Sequence, residues 1–318
     1  MNVAGAGSID FAVLQQAAEW FAVLRAETVA EHDRLAWQRW LEAQPQHRLA
    51  WQRVEHISGQ FERLPQRQAA RSALQARGVN RRQAVKMLSL LCGGGALLHA
   101  ARARPWQAWQ ADQRTAVGEV REGLLSDGSR LWLNTDSAVD VAFSSAERRL
   151  ALYRGELLVE TAGEARPFSV ETASGRVQVA GARFGVRERD GATLVLAYEG
   201  ALEVFATRLG WRQRVEAGEQ LSFSADHLDR PTPLRLGAQA WTHGVLQADD
   251  MRLTDFIDEL ARYQHGHLGC DPRVAELRLV GAFPLADRAR IFTALEASLP
   301  VRVVQRLPWW ITVEPRQA

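Results

Sequence analysis

Few residues of this 318-residue chain have the types and spacing that metal binding or catalysis requires. His265, His267 and Cys270 bring three metal-ligating side chains close together in the sequence. Gly266 and Gly269 lie among them, which is more typical of a polar loop, so we predict no metal site and no cofactor. The sequence motifs of serine hydrolases, phosphate-binding loops, dinucleotide-binding folds and zinc proteases do not occur. We therefore predict no catalytic residues and a protein that is not an enzyme.

A basic pair followed by an apolar run is typical of an export signal. Arg81, Arg82 and Lys86 have the R-R-x-x-x-K spacing of a twin-arginine signal, and Lys86 is the only lysine in the chain. Residues 87–101 carry no charged side chain and include three consecutive glycines, each of which costs a soluble helix about 1 kcal/mol. The run is shorter than the ~20 apolar residues of a typical span, but we predict that it is a transmembrane segment.

The charge distribution predicts the orientation of that segment. Residues 1–62 contain five arginines and eight acidic residues, whereas residues 63–86 contain seven basic residues and no acid. The next acidic residue after this stretch is Asp112. Lys and Arg gather on the cytoplasmic side of membrane spans, so residues 66–86 are predicted to be a basic juxtamembrane segment. The N-terminus is then cytoplasmic and the C-terminus lies outside.

The part of the chain before the signal, residues 1–65, has helical periodicity. Thr28 and Glu31 have capping-box spacing for a second helix, and Pro45 marks the start of a third. A small all-α domain of three helices is predicted around four tryptophans, whose simplest role is core packing: Trp20, Trp37, Trp40 and Trp51. Three helices could also read DNA, but the net charge of −3 over residues 1–62 disfavours this because DNA binding depends on phosphate neutralisation. We expect no direct contact with nucleic acid.

The part after the signal changes to strand patterns. Residues 112–230 alternate apolar and polar side chains between Gly-containing turns, as at Arg154-Gly155-Glu156, and predict an all-β sandwich, barrel or stacked-strand domain. Residues 240–316 alternate strand and helix patterns and predict a small α/β module of βαβ type. Cys92 and Cys270 lie in different predicted domains, so no disulfide is expected between them. The fold class is thus multidomain, with α, transmembrane, β and α/β parts.

The motifs resemble those of the FecR family, the inner-membrane anti-sigma regulators. Ala18–Phe21 and Trp40–His47 resemble the family's cytoplasmic sigma-binding domain. Leu124–Ser137, Arg149–Glu156 and Glu199-Gly200 resemble its periplasmic β domain. The last module resembles the family's C-terminal domain, which is similar to short domains of secretins and TonB-dependent transducers. The resemblance covers nearly the whole chain, and the order of the motifs around the twin-arginine segment is its most specific feature.

The resemblance implies a single-pass protein of the bacterial inner membrane, with a cytoplasmic N-terminus and a periplasmic C-terminus. Its partners would be an extracytoplasmic-function sigma factor, bound by the helices that carry the four tryptophans, and the signalling domain of a TonB-dependent outer-membrane receptor for iron or siderophore uptake. Periplasmic and intramembrane proteases would release the signal near residues 87–101.

One position departs from the family pattern. Some members cut themselves between Gly and Thr, where the Thr hydroxyl accepts the acyl group of the preceding Gly. The corresponding pair here is Gly181-Ala182, and alanine has no hydroxyl to act as nucleophile. We therefore expect that the self-cleavage site is lost.

Two other functions are compatible with parts of the sequence. An exported periplasmic binding protein with an extended twin-arginine leader would lose residues 1–103 on maturation. A membrane-tethered DNA-binding regulator would bind DNA in a salt-sensitive way through its N-terminal domain.

Overall fold

The computed structural model describes residues 11–24, 31–55, 58, 108, 110–189, 191–206 and 210–316. The chain divides into two compact units. One comprises Met1–Gly78, Asp250–Val280 and Asp287–Ala318, and the other comprises Val79–Asp249 and Gly281–Ala286. Among the described residues, no helix is long and apolar enough to cross a bilayer. The predicted transmembrane segment, residues 87–101, and the twin-arginine residues before it lie outside the described part of the chain.

In the N-terminal part of the first unit, the described residues form three helices. They are α1 (Phe11–Leu24), α2 (Glu31–Ala43) and α3 (residues 45–55), so α3 begins at Pro45 as predicted. Pro is favoured in the first helical turn because no helical bond is lost there. The buried residues of α1 recur at helical spacing and form one apolar face: Leu14, Ala17, Ala18 and Phe21.

The second unit is built from thirteen hydrogen-bonded strands. They are β1 (Gln113–Arg114), β2 (Arg121–Leu124), β3 (Arg130–Leu133), β4 (Ala138–Phe143), β5 (Arg148–Glu160), β6 (Phe168–Glu171), β7 (Gly175–Val179), β8 (Arg183–Arg189), β9 (Ala192–Glu199), β10 (Leu202–Ala206), β11 (Trp211–Val215), β12 (Glu219–Ser224) and β13 (Thr232–Pro233). The pairs are antiparallel except β5 with β6. The N-terminal half of β5 pairs with β4 and β6, and its C-terminal half pairs with β3 and β8.

The long strand β5 therefore joins two half-sheets, and Gly155 is the point at which it passes from one to the other. Our prediction of a turn at residues 154–156 is wrong, because the chain continues as a strand through an irregular register. Gly155 has φ of 86°, and a Cβ there would lie 2.3 Å from Ser137 Oγ. The close approach and the left-handed backbone both require glycine. Turns often require glycine for the same reasons, so the two cases look alike in the sequence.

Apolar side chains from both half-sheets share one core. It includes Leu150 and Phe168 from one half and Leu157, Phe184 and Val195 from the other, all fully buried. Two half-sheets that face a common core are a sandwich-like arrangement, which is one of the three architectures left open by the sequence.

The C-terminal module alternates strands and helices, as the sequence predicts. Its elements are a 3-10 helix (Ala240–His243), β14 (Val245–Arg252), α4 (Leu253–Ala261), β15 (His267–Cys270), β16 (Arg278–Pro284), α5 (Arg288–Ser298), β17 (Val301–Leu307) and β18 (Trp310–Pro315). Strands β14 and β16 pair with each other. The other three strands form a sheet in the order β15-β18-β17, in which β15 is parallel and β17 antiparallel to β18.

Candidate interaction surfaces

The prediction that His265, His267 and Cys270 lie in one polar loop is wrong for two of the three residues. His267 and Cys270 lie in strand β15, which pairs with β18. Side chains three positions apart on a strand point to opposite faces, so His267 and Cys270 cannot share one ion. Among the described residues, no group of three His, Cys, Asp or Glu side chains is placed to hold a metal.

Two of the four candidate tryptophans stack on each other in the helical bundle. The rings of Trp37 and Trp51 have centroids 4.9 Å apart, and the Trp51 ring is 5.8 Å from that of Phe21. Both tryptophans are half-buried. Aromatic rings at these separations add to the stability of a core beyond their buried area, so the pair both holds the bundle together and leaves apolar ring surface accessible.

The other two tryptophans have different surroundings. Trp40 stacks on His47 with ring centroids 4.5 Å apart and donates its indole N–H to Gln16 Oε1 at 2.8 Å. His47 Nδ1 is 2.6 Å from the Trp40 carbonyl oxygen. Trp20 is half-buried on α1, beside the fully buried positions of that helix. The tryptophans therefore do not form a single continuous stack.

A second apolar cluster, which was not predicted from the sequence, includes the connection between β17 and β18. Trp309 and Trp310 belong to the same apolar cluster as the buried face of α1, together with Ala50 and Val54 of α3. The Trp309 ring meets the Phe21 ring edge-on, with centroids 5.5 Å apart. The available signal was a pair of adjacent tryptophans, Trp309 in the turn and Trp310 at the start of β18, because two rings of this size are seldom left uncovered.

Trp310 in this cluster and the neighbouring His267 each have a ring nitrogen without a hydrogen-bond partner among the described residues. These two atoms, Trp310 Nε1 and His267 Nε2, are both buried. The two rings lie 4.0 Å apart between centroids. Burial, with a contribution from the positive charge of Arg53, lowers the pKa of His267 to about 4. The imidazole is therefore neutral at pH 7.

The Asp127-Gly128-Ser129 motif serves the fold of the β domain. Arg148 is 0% exposed, and its Nη1 donates to Asp127 Oδ2 at 2.8 Å, while Asp127 is 1% exposed. Arg148 Nε and Nη2 both donate to the Arg166 carbonyl oxygen, at 3.1 and 2.7 Å. Burial opposes ionisation of Asp127, but hydrogen bonds from Ser129 and the Arg148 guanidinium hold its pKa below the ordinary value. The motif is a buried link between the β2–β3 turn and β5.

The Gly181-Ala182 bond lies in the connection between β7 and β8. The Ala182 N–H donates to Thr161 Oγ1 at 2.9 Å, and Thr161 N–H donates to the Ala182 carbonyl oxygen at 3.0 Å. A hydroxyl that accepts from an amide N–H lies near the peptide plane, whereas attack on a carbonyl carbon comes from above that plane. Thr161 therefore does not replace the missing hydroxyl of residue 182.

Comparisons with known proteins match two separate regions of the chain. Residues 111–203 match the FecR protein family, and residues 15–57 match a domain of unknown function, DUF4880. Two crystal structures of a candidate anti-sigma factor from Parabacteroides distasonis have a similar fold, with TM-scores of 0.54 and 0.53 and 21% sequence identity. They cover 64% of this chain and 99% and 98% of their own. No protein with a curated description matches.

Proposed function

We propose that this chain, of which residues 111–203 match the FecR family, is an anti-sigma regulator that binds an extracytoplasmic-function sigma factor. The observation that carries the proposal is the order of the two matched regions. A helical region at residues 15–57 precedes the twin-arginine and apolar segment, and the FecR region at 111–203 follows it. A signal placed between two folded parts would leave the first in the cytoplasm and export the second.

The sigma factor would bind the helical domain. The candidate contact residues are the half-buried aromatic residues of the bundle, which combine apolar ring surface with polar edges: Trp20, Trp37, Trp40 and Trp51. Aromatic side chains of this kind dominate many protein interfaces. The domain's excess of acidic over basic residues suits a basic partner.

In the proposed topology, residues 87–101 span the bacterial inner membrane after the basic segment with Arg81, Arg82 and Lys86. The contact of α1 with Trp309 and Trp310 cannot exist once the two lie on opposite sides of a membrane. The proposal therefore requires the helical bundle and the C-terminal module to be apart in the inserted protein. Periplasmic and intramembrane proteases acting near the span would release the helical domain with its sigma factor.

The periplasmic input would come from the signalling domain of a TonB-dependent outer-membrane receptor, in iron or siderophore uptake. The C-terminal module offers the edge strands β15 and β17, each of which has one neighbour in the three-stranded sheet. An edge strand can pair with an added strand of a partner.

Co-purification tests the sigma-factor proposal. We expect the full-length protein, extracted in native lipid discs, to retain a sigma factor encoded beside it, and we expect Trp51→Ala to reduce the retained amount. Val23→Ala is the control, because Val23 is exposed on α1. N-terminal sequencing of the mature protein addresses the alternative, since loss of residues 1–103 would identify an exported protein with an extended leader.

A further inference from the structure

We propose that the surface formed by Leu307, Trp309, Trp310 and His267, called here the tryptophan face, docks an amphipathic helix of a periplasmic partner. This inference rests on the proposed topology, because only then is the tryptophan face free of the chain's own helices. It deepens the proposed function by assigning the receiving surface and the kind of element that it accepts.

The structure shows what fits this surface, because α1 is seated on it. Trp309 is 8% exposed and Trp310 1% exposed beneath the helices. Small residues of α1, Ala17 and Ala18, are fully buried in the same cluster as the two indole rings. Phe21 adds an edge-on contact to Trp309 at 5.5 Å between ring centroids. The tryptophan face thus accepts a helix whose apolar stripe combines small residues with one leucine and one aromatic side chain.

Charge sets the orientation of the bound helix. Arg306 Nε lies 3.8 Å from Glu19 Oε1 of α1, and its Nη1 lies 2.6 Å from Glu314 Oε1. Arg306 is 21% exposed, so this guanidinium stands at the rim of the tryptophan face. A partner helix that carries a carboxylate beside its apolar stripe would be selected over one that carries a cation.

Two ring nitrogens of the tryptophan face lack hydrogen-bond partners, which indicates that α1 does not satisfy all of the polar groups of this surface. Trp310 Nε1 is buried in the cluster that includes α1, and His267 Nε2 is buried in the ring beside Trp310; neither has a hydrogen-bond partner among the described residues. Buried polar groups in native complexes are nearly always paired. A true partner would supply an acceptor for the indole N–H, such as a side-chain amide or hydroxyl in place of an alanine.

A peptide titration tests the tryptophan face directly. Full-length protein in native lipid discs is titrated with a fluorescent peptide of residues 11–24, carried on a soluble tag, and binding is followed by anisotropy. We expect binding that is weakened at least tenfold by Trp309→Ala in the protein or by Ala18→Arg in the peptide. Leu236→Ala in the protein, at a residue 72% exposed elsewhere, and Val23→Arg in the peptide are the matched controls and should leave binding unchanged.

A charge exchange checks the orientation. Glu19→Lys in the peptide should weaken binding severalfold, and Arg306→Glu in the protein should restore it to that peptide. The proposal is overturned if the wild-type peptide does not bind, or if Trp309→Ala and Leu236→Ala have equal effects.

Cross-linking in intact cells separates this inference from the proposed topology. Glu19→Cys and Arg306→Cys, at side chains that lie 3.8 Å apart on the rim, are combined in a protein whose Cys92 and Cys270 are replaced by alanine, and a short bismaleimide is added. We expect no intramolecular link in cells and a link in detergent-solubilised protein. A link in cells would place both surfaces in one compartment and overturn the assignment to a partner. Sigma-factor binding is measured at the other end of the chain, so its failure would leave the titration result standing.

Discussion

The buried pair of Arg148 and Asp127 predicts a large loss of stability on a single substitution. Arg148→Met keeps most of the aliphatic length but removes the guanidinium that donates to Asp127 Oδ2 and to the Arg166 carbonyl oxygen. The side chains of the pair are 0% and 1% exposed, so water cannot replace the lost donors without opening the domain.

The size of the effect follows from these contacts. Removal of one partner of a buried ion pair costs about 3–5 kcal/mol. Asp127 keeps two donors from Ser129, its N–H at 3.0 Å and its hydroxyl at 2.7 Å, which places the expected loss at the lower end of that range. For a β domain of this size, about 3 kcal/mol lowers the melting temperature by about 10 °C.

Arg149→Met is the matched control on the same strand. Arg149 is 39% exposed and pairs with Glu171 at 3.2 Å, so its loss should cost less than about 1 kcal/mol. The assay is urea unfolding of the full-length protein at pH 7, with hydrogen exchange of β5 peptides to report the β domain. The double variant Asp127→Leu with Arg148→Met should recover part of the loss, because no buried charge remains. Equal destabilisation by Arg148→Met and Arg149→Met would refute the reasoning.

Three further predictions concern other parts of the chain. Gly155→Ala should destabilise the β domain by about 3 kcal/mol or more, because it adds left-handed backbone strain and a clash with Ser137. Gly191→Ala is the control: Gly191 has φ of 81° and open space around it, so the substitution should cost only the strain, about 1 kcal/mol. Equal urea midpoints for the two variants would contradict this prediction. Burial lowers the pKa of His267 from 6.5 to about 4, so the fold around His267 should be most stable above pH 6.5 and lose stability as the pH falls towards 4. The loss between pH 7 and pH 5 should be about 2 kcal/mol, and His267→Phe should reduce this pH dependence in urea unfolding; equal pH dependence in the variant and the wild type would contradict it. The purified wild-type protein should remain uncut at the Gly181-Ala182 bond, and intact-mass measurement that finds two fragments without added protease would show the opposite.

Local patterns in the sequence predict most of the regular elements. Alternation of apolar and polar residues places strands at β7 and β10, where the structure has them, since each of these strands has one buried side. Helical spacing predicts the buried face of α1 and the start of α3 at Pro45. These features depend on residues that are close in the chain, so the pattern carries the information.

Features that depend on distant partners could not be predicted in the same way. Gly155 has the sequence signal of a turn, but its conformation is decided by Ser137 on another strand. Strand β15 has only four residues, of which the first is a histidine, and it becomes a strand because β18 pairs with it. The partner of Arg148 lies 21 positions away in sequence, and no local pattern identifies it among the many arginines of the β domain.

Transcription assayed with purified components tests the central claim most directly. Run-off transcription from a target promoter is measured with core polymerase and the sigma factor encoded beside this gene, with and without the full-length protein in lipid discs. The proposal predicts inhibition that increases with the amount of protein and that is reduced by Trp51→Ala but not by Val23→Ala. Transcription that is unchanged at saturating protein, with no sigma factor bound, would contradict it.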